Sequence, residues 1–199
     1  MYRSFSEFLF PKQIIVSDSN NFLSYRNELI KLCYKQKDID PVGVKYSNGG
    51  GWQSKSDYIL NSDEFNFFIE DLNQNLNHCL YEQFRILEGK KLSIGNCWIN
   101  ISKTHDYNLS HIHPLSILSG VFYIKCPPNC GNIIFEQDSN DVLDLDYRED
   151  EIKKMTNMYS AYYHTPIEGR MLLFPSNLRH YVESNKSDDD RISISFNIN

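Results

Sequence analysis

Arg191-Ile192-Ser193-Ile194-Ser195-Phe196-Asn197-Ile198 is the stretch on which the fold turns. Polar and apolar side chains alternate through all eight positions. Successive side chains of a β-strand point to opposite faces. Ile192, Ile194, Phe196 and Ile198 therefore share one face, and Arg191, Ser193, Ser195 and Asn197 share the other. A helix would scatter both sets around its axis. The apolar face belongs to a core. The other face is made of small polar groups and one cation.

Further strand signals lie upstream. Residues 171–175 and 180–183 are short strands set between the turns Glu168-Gly169-Arg170 and Ser187-Asp188-Asp189-Asp190. Residues 97–101, 111–114, 119–125 and 131–136 add others, giving about seven or eight strands after Leu92. Before Leu92 the period changes. Residues 13–16 form a short strand, and Ser17-Asp18-Ser19-Asn20 supplies helix N-caps. Phe22, Tyr25, Leu29, Leu32 and Cys33 then recur at spacings of three and four, a helix with one buried stripe. A second helix opens at Ser62-Asp63-Glu64, carries Phe65, Phe68, Leu72, Leu76 and Leu80 inward, and runs to about residue 86. Helices followed by strands predict an α+β fold, a barrel or jelly roll with the N-terminal helices packed outside. The 199 residues suit one domain, 1–199: a mainly helical part over 1–91 and the β core over 92–199. The core is interrupted at 137–168 by an insertion holding an acidic run and a tyrosine-rich patch, with the character of a lid or specificity loop.

The net charge of −6 disfavours nucleic-acid binding driven by bulk electrostatics. No apolar run reaches the roughly 18 residues of a membrane span, and residues 1–12 lack the features of a signal peptide. Five scattered cysteines suggest a reducing compartment, so a cytoplasmic location is expected. Cys126-Pro127-Pro128-Asn129-Cys130 admits a metal clip or a disulfide, but its spacing is not that of a zinc knuckle and no second pair partners it. A turn between two strands is the preferred reading. Asn48-Gly49-Gly50-Gly51-Trp52-Gln53-Ser54 lacks the Lys-Ser/Thr of a phosphate loop and reads as a turn that places Trp52.

His111 and His113, at i and i+2, share a strand face and can converge on one ion. His180, on a later strand, can supply a third imidazole, and imidazole suits iron, zinc, copper and nickel. His105 reads as an outer or loop residue, His164 as a loop residue, and His78 as structural. Arg191 and Ser193 together suit a carboxylate, because guanidinium offers a fork of donors. Tyr123 can add a phenolic donor. The competing reading pairs Arg191 with Asp188, Asp189 or Asp190.

His111-x-His113, Ser119-Gly120-Val121-Phe122-Tyr123, Gly169-x-x-Leu172-Leu173-Phe174-Pro175-Ser176, His180 and Arg191-Ile192-Ser193 together resemble a group of Fe(II)- and 2-oxoglutarate-dependent oxygenases found in bacteria and their viruses. The resemblance extends to Gly50-Gly51-Trp52-Gln53-Ser54 and is most specific over residues 107–197. It implies a double-stranded β-helix (jelly-roll) core and Fe(II) held by His111 and His180, with His113 where the wider superfamily has Asp or Glu. Arg191 and Ser193, with Tyr123, would bind the far carboxylate of 2-oxoglutarate, and Asn100, Tyr107 and Asn108 would wall the pocket. It further implies a dioxygenase that hydroxylates a substrate and releases succinate and CO₂, in the cytoplasm of a bacterium or of a phage-infected host. Its partners would be the cosubstrate and O₂, with room for a homo-oligomer or a larger assembly. The His113 departure keeps two alternatives open: a cupin-like three-His metal protein with other chemistry, and a non-catalytic component retaining the fold.

Overall fold

A computed structural model describes residues 12–83, 92–137 and 161–199. Eleven strands form two antiparallel sheets among these residues. From the first part of the chain come β1 (Ile15–Asp18), α1 (Phe22–Ile39), β2 (Asn48–Gly49), β3 (Trp52–Gln53) and α2 (Asn66–Glu82). The later part supplies β4 (Ile94–Ser102), β5 (Tyr107–His111), β6 (Leu118–Lys125) and β7 (Ile133–Glu136). It continues with β8 (Ala161–His164), β9 (Arg170–Pro175), β10 (His180–Val182) and β11 (Arg191–Ile198). The larger sheet runs β1-β9-β6-β11-β4-β3 and the smaller one β2-β5-β10-β7-β8.

The alternation in β11 resolves as the sequence predicts. Ile192, Ile194, Phe196 and Ile198 are buried in the cluster that also holds Leu29, Leu32, Phe68, Leu72 and Leu76 of the two helices. Phe122 of β6 sits at the centre of that layer, with ring centroids 5.6 Å from Phe22 and 5.4 Å from Phe68. Edge-to-face contacts at such distances add to the area these rings bury. On its other face the large sheet turns Val121, Tyr123, Leu172 and Phe174 toward Ile133 and Phe135 of the small sheet. The helices thus cover one side and the second sheet the other, the layered arrangement of an α+β jelly roll.

The N-cap of α1 is Asn21, just past the expected cluster, and its side chain makes no capping bond; Ser19, within the cluster, accepts the Phe22 N–H at 3.1 Å. Helix α2 follows a 3₁₀ turn at Asp63–Phe65, and its expected end near 86 lies outside the described residues. The first part of the chain is less purely helical than expected, because β1, β2 and β3 add strands to both sheets. The acidic run of the 137–168 insertion also lies outside the described residues. Part of the tyrosine patch and His164 do not form a loop. They form β8, whose Tyr162 and Tyr163 pair with Phe135 and Ile134, so backbone pairing overrides the loop reading. Among the described residues no helix is long and apolar enough to cross a membrane.

Candidate metal centre and cosubstrate pocket

Between the sheets lies a cavity of about 600 Å³. Its lining includes all six residues singled out from the sequence: His111, His113, His180, Tyr123, Arg191 and Ser193. His111 ends β5 and His180 opens β10, and the two are register partners across the small sheet. His113 does not sit on a strand as the i, i+2 argument supposed. β5 ends at His111, His113 follows it outside any strand, and a turn at Pro114–Leu115 comes next. The His113 N–H instead donates to the Ser176 carbonyl at 2.9 Å, which returns the side chain to the cavity.

One side-chain nitrogen from each histidine falls within 4.8 Å of the others. The Nδ1 of His111 lies 2.7 Å from the Leu109 carbonyl oxygen, and that of His180 lies 2.8 Å from the Leu178 carbonyl oxygen. A carbonyl only accepts, so both Nδ1 atoms are the donors and both Nε2 lone pairs are free. His113 Nε2 is 3.3 Å from His180 Nε2. Two imidazole nitrogens bound to one ion at about 2.0–2.1 Å each stand roughly 3.0–3.4 Å apart, so the spacing fits a shared ion. Burial, reinforced by the neighbouring imidazoles, lowers His113 to about 4 and His180 to about 3. Burial also lowers His111. All three are neutral at neutral pH and compete with no proton for a metal. The donor set is three imidazoles, without a carboxylate.

Arg191 is 3% exposed. Its Nη1 donates to the Cys130 carbonyl at 2.8 Å and its Nη2 to Ser102 Oγ at 3.1 Å. The competing aspartate pairing does not form. Asp189 pairs with Lys125, and Asp190 accepts the Tyr34 hydroxyl. Arg191 thus presents a buried positive charge with only neutral acceptors recorded, at a desolvation cost that burial registers as a lowered pKa. Ser193 faces Tyr123 across the ladder, and burial raises the Tyr123 phenol, which remains a neutral donor.

Asn100 and Asn108 line the cavity, whereas Tyr107 does not. The Tyr107 ring occupies the place where a side chain on Gly49 would lie, 2.4 Å from an added Cβ. His105 sits in a turn at φ 72, tied by its N–H to the Asn185 carbonyl, away from the three histidines. Sequence reasoning missed Trp98, whose ring centroid is 5.7 Å from that of His113. It also missed a hydrogen-bonded row in which Ser119 Oγ meets Ser176 Oγ at 2.8 Å and donates to Asn197 Oδ1 at 2.7 Å. Asn197 Nδ2 then donates to Asn96 Oδ1 at 2.9 Å. The parity of β4 was the available signal, since Asn96, Trp98 and Asn100 alternate with Cys97, Ile99 and Ile101.

Residues 96–197 match the family model described as "Putative 2OG-Fe(II) oxygenase". That span is about half of the chain and holds all six site residues, and the chain belongs to this family, whose metal and cosubstrate are Fe(II) and 2-oxoglutarate. No curated protein matches the chain by sequence. Among solved structures, the fold is similar to that of a Pseudomonas putida prolyl-4-hydroxylase, with TM-score 0.60, 12% identity and coverage of 92% of this chain and 91% of that one. A viral collagen prolyl hydroxylase from Paramecium Bursaria Chlorella virus-1 gives TM-score 0.61 and 12% identity, covering 93% of this chain and 94% of the other. HygX from Streptomyces hygroscopicus, solved with nickel, 2-oxoglutarate and hygromycin B, gives TM-score 0.64 and 10% identity, covering 94% and 82%.

Proposed function

We propose that His111, His113 and His180 hold Fe(II), that Arg191 seats the far carboxylate of 2-oxoglutarate with Ser193 and Tyr123, and that the enzyme hydroxylates a C–H bond of a second substrate. The observation that carries this reading is the buried Arg191 guanidinium, recorded with only neutral acceptors and opening into the cavity that holds the three histidines. A buried cation with no anion among its hydrogen-bond acceptors, and Asp106 acting only through space, is costly, and a dicarboxylate spanning anchor and metal would supply a direct partner. The bound metal would couple O₂-dependent decarboxylation of 2-oxoglutarate, to succinate and CO₂, to substrate oxidation. The protein's own groups bind and orient. The Leu109 and Leu178 carbonyls fix the tautomers of His111 and His180. Phe174, Val121 and Ile133 supply apolar wall that excludes water around the cosubstrate. Asn96, Asn100 and Trp98 lie on the wall beside His113, where a second substrate can meet the metal.

The test is succinate formation from 2-oxoglutarate by protein loaded anaerobically with Fe(II) and then exposed to O₂. Succinate dependent on both iron and O₂ is expected, and its absence would overturn the reading. The all-imidazole donor set favours a second reading, a three-His metal protein with different chemistry. Metal retained without any binding of 2-oxoglutarate would select it.

A further inference from the structure

We propose that Gln53 recognises the second substrate, and that this substrate presents a neutral, polyhydroxylated group, a sugar, to the wall formed by β3 and β4. The motif Gly50-Gly51-Trp52-Gln53-Ser54 reads in the sequence as a turn that places Trp52. In the structure Trp52 is the anchor of that turn. Its ring is buried in the helix-side core, and its Nε1 donates to the Asp40 carbonyl at 2.8 Å. The next side chain on the strand, Gln53, turns to the opposite face and lines the cavity.

Gln53 is held firmly in that place. β2 belongs to the small sheet and β3 to the large one, so the Gly50-Gly51 turn crosses from one sheet to the other. Gly50 at φ 81 and Gly51 at φ 46 permit the crossing. Gln53 pairs with Asn100 of β4, and its carbonyl accepts the Val44 N–H at 2.9 Å. Ser54 gives its N–H to the Ile99 carbonyl and takes the Ile99 N–H on its Oγ, both at 3.0 Å. The side chain of Gln53 is treated differently. The residue is 6% exposed, and among the described residues its carboxamide has no hydrogen-bond partner. Buried amides are as a rule satisfied, so the partner of this one comes from what fills the cavity.

The surroundings define the class of ligand. Asn100 Nδ2 donates to Ser195 Oγ at 3.0 Å, and its Oδ1 has no partner among the described residues. On the facing sheet, Asn108 Nδ2 donates to Ser47 Oγ at 3.3 Å, and both residues line the same cavity. Carboxamides and hydroxyls offer donor and acceptor together, as the hydroxyls around a sugar ring do. Tyr46 lines the cavity and is largely exposed, so its ring is open to the apolar C–H face of such a sugar. A nucleobase would need an open aromatic face deeper in, and Trp98 is instead buried against His113. Among the described residues no Asp, Glu or Lys lines the cavity, and its one permanent charge, Arg191, is taken by the cosubstrate in the function proposed above. An ammonium or carboxylate on the second substrate would lose its water and gain no ionic partner. By register Gln53, Asn100, Ser193 and Tyr123 form one row across β3, β4, β11 and β6. Gln53 stands at the end of that row away from Tyr123, so a ligand on it lies beside the cosubstrate.

The full-length, metal-free protein is mixed with methyl glucoside, methyl galactoside and methyl mannoside, and in parallel with glucosamine, glucuronate and N-acetylglycinamide. Saturation-transfer NMR reads binding. At least one methyl glycoside should receive saturation, and Gln53→Leu should weaken its binding about tenfold, the value of one or two neutral hydrogen bonds. Should Gln53→Leu not fold, Gln53→Asn, which keeps the carboxamide but withdraws it by one methylene, carries the same expectation. Absence of glycoside binding, equal binding of glucosamine or glucuronate, a preference for N-acetylglycinamide, or unchanged affinity in the variant would overturn the proposal. In the second arm the protein is loaded with Ni(II) and 2-oxoglutarate. The paramagnetic ion should broaden the resonances of the bound glycoside, and binding without broadening would overturn its role as second substrate. That role rests on the metal and cosubstrate reading above. The first arm uses neither metal nor cosubstrate, so its failure is distinct from a failure to form succinate.

Discussion

Replacing Arg191 with methionine separates stability from cosubstrate binding. The guanidinium is buried and gives hydrogen bonds to the Cys130 carbonyl and Ser102 Oγ. Bonds from a charged donor contribute about 1.5–3 kcal/mol each, but taking the charge out of water costs several kcal/mol. Methionine replaces the aliphatic stem, stops short of the guanidinium's position and carries no charge. It leaves the Cys130 carbonyl without its donor, at about 1–3 kcal/mol. These terms nearly cancel, so urea unfolding of the metal-free variant should fall within about 2 kcal/mol of the natural protein. Cosubstrate binding has no such cancellation. Leaving a buried carboxylate without its cation costs about 3–5 kcal/mol, a loss of roughly 10²- to 10⁴-fold in 2-oxoglutarate affinity. Calorimetric titration of 2-oxoglutarate into Ni(II)-loaded protein, alongside the urea series, reads both quantities. A variant that unfolds far more easily yet binds 2-oxoglutarate unchanged would refute the assignment and make Arg191 a structural residue.

Other predictions concern the rest of the site and its supports. His113→Asp should keep metal binding and iron-dependent succinate formation, whereas His113→Ala removes a direct ligand and should weaken metal affinity by more than the roughly 10- to 100-fold that loss of an outer-shell partner costs, read by competition with a chelating dye. Glu168 joins Arg26 at 2.7 and 2.9 Å and holds the Cys126 N–H, and the Arg26 bond keeps its carboxyl below the usual range. Its contribution is therefore present above the ordinary glutamate pKa and lost as pH falls through the depressed folded value. The pair is about a third exposed, so Glu168→Gln should cost only about 1 kcal/mol at pH 7 and should flatten the acid side of a pH–stability curve. Gly50 holds φ 81, and a Cβ there would meet Asp106 Oδ1 at 1.9 Å. Gly50→Ala should lower the thermal midpoint, with a cost of about 1–3 kcal/mol. Asn197→Leu removes the acceptor of Ser119 and the donor to Asn96 Oδ1, while Ser119 keeps Ser176, so about 1–3 kcal/mol of stability should be lost on chemical unfolding.

The parts legible in the sequence were those set by local periodicity. In β11 the apolar residues face the helix-side core and the polar ones the cavity, as parity assigns, although the pairing register shifts once against each neighbouring strand. The shared inner face of Arg191 and Ser193 followed from that parity. The three histidines converge as expected but by a route that periodicity does not encode. His113 lies beyond the end of β5 and is returned to the cavity by a bond to Ser176, 63 positions away by sequence number. Tyr107 has the residue type of a pocket group, yet packs over Gly49, because the glycine leaves a vacancy that only the fold reveals. The Ser119–Asn197–Asn96 row is a cross-strand contact and depends on which strands are neighbours. His164 and the tyrosine patch join the small sheet through pairing with β7, a tertiary effect that outweighs their loop-like context.

His113 hangs from the frayed end of a strand and not from its ladder. Its backbone answers to one carbonyl, that of Ser176, while His111 and His180 are locked into paired strands. The third corner of the triangle is thus mechanically detached from the other two. An exchange of side chain there would leave the hydrogen-bonded lattice of both sheets undisturbed. A carboxylate in place of that imidazole would therefore change the charge of the site and leave the framework of the fold as it is.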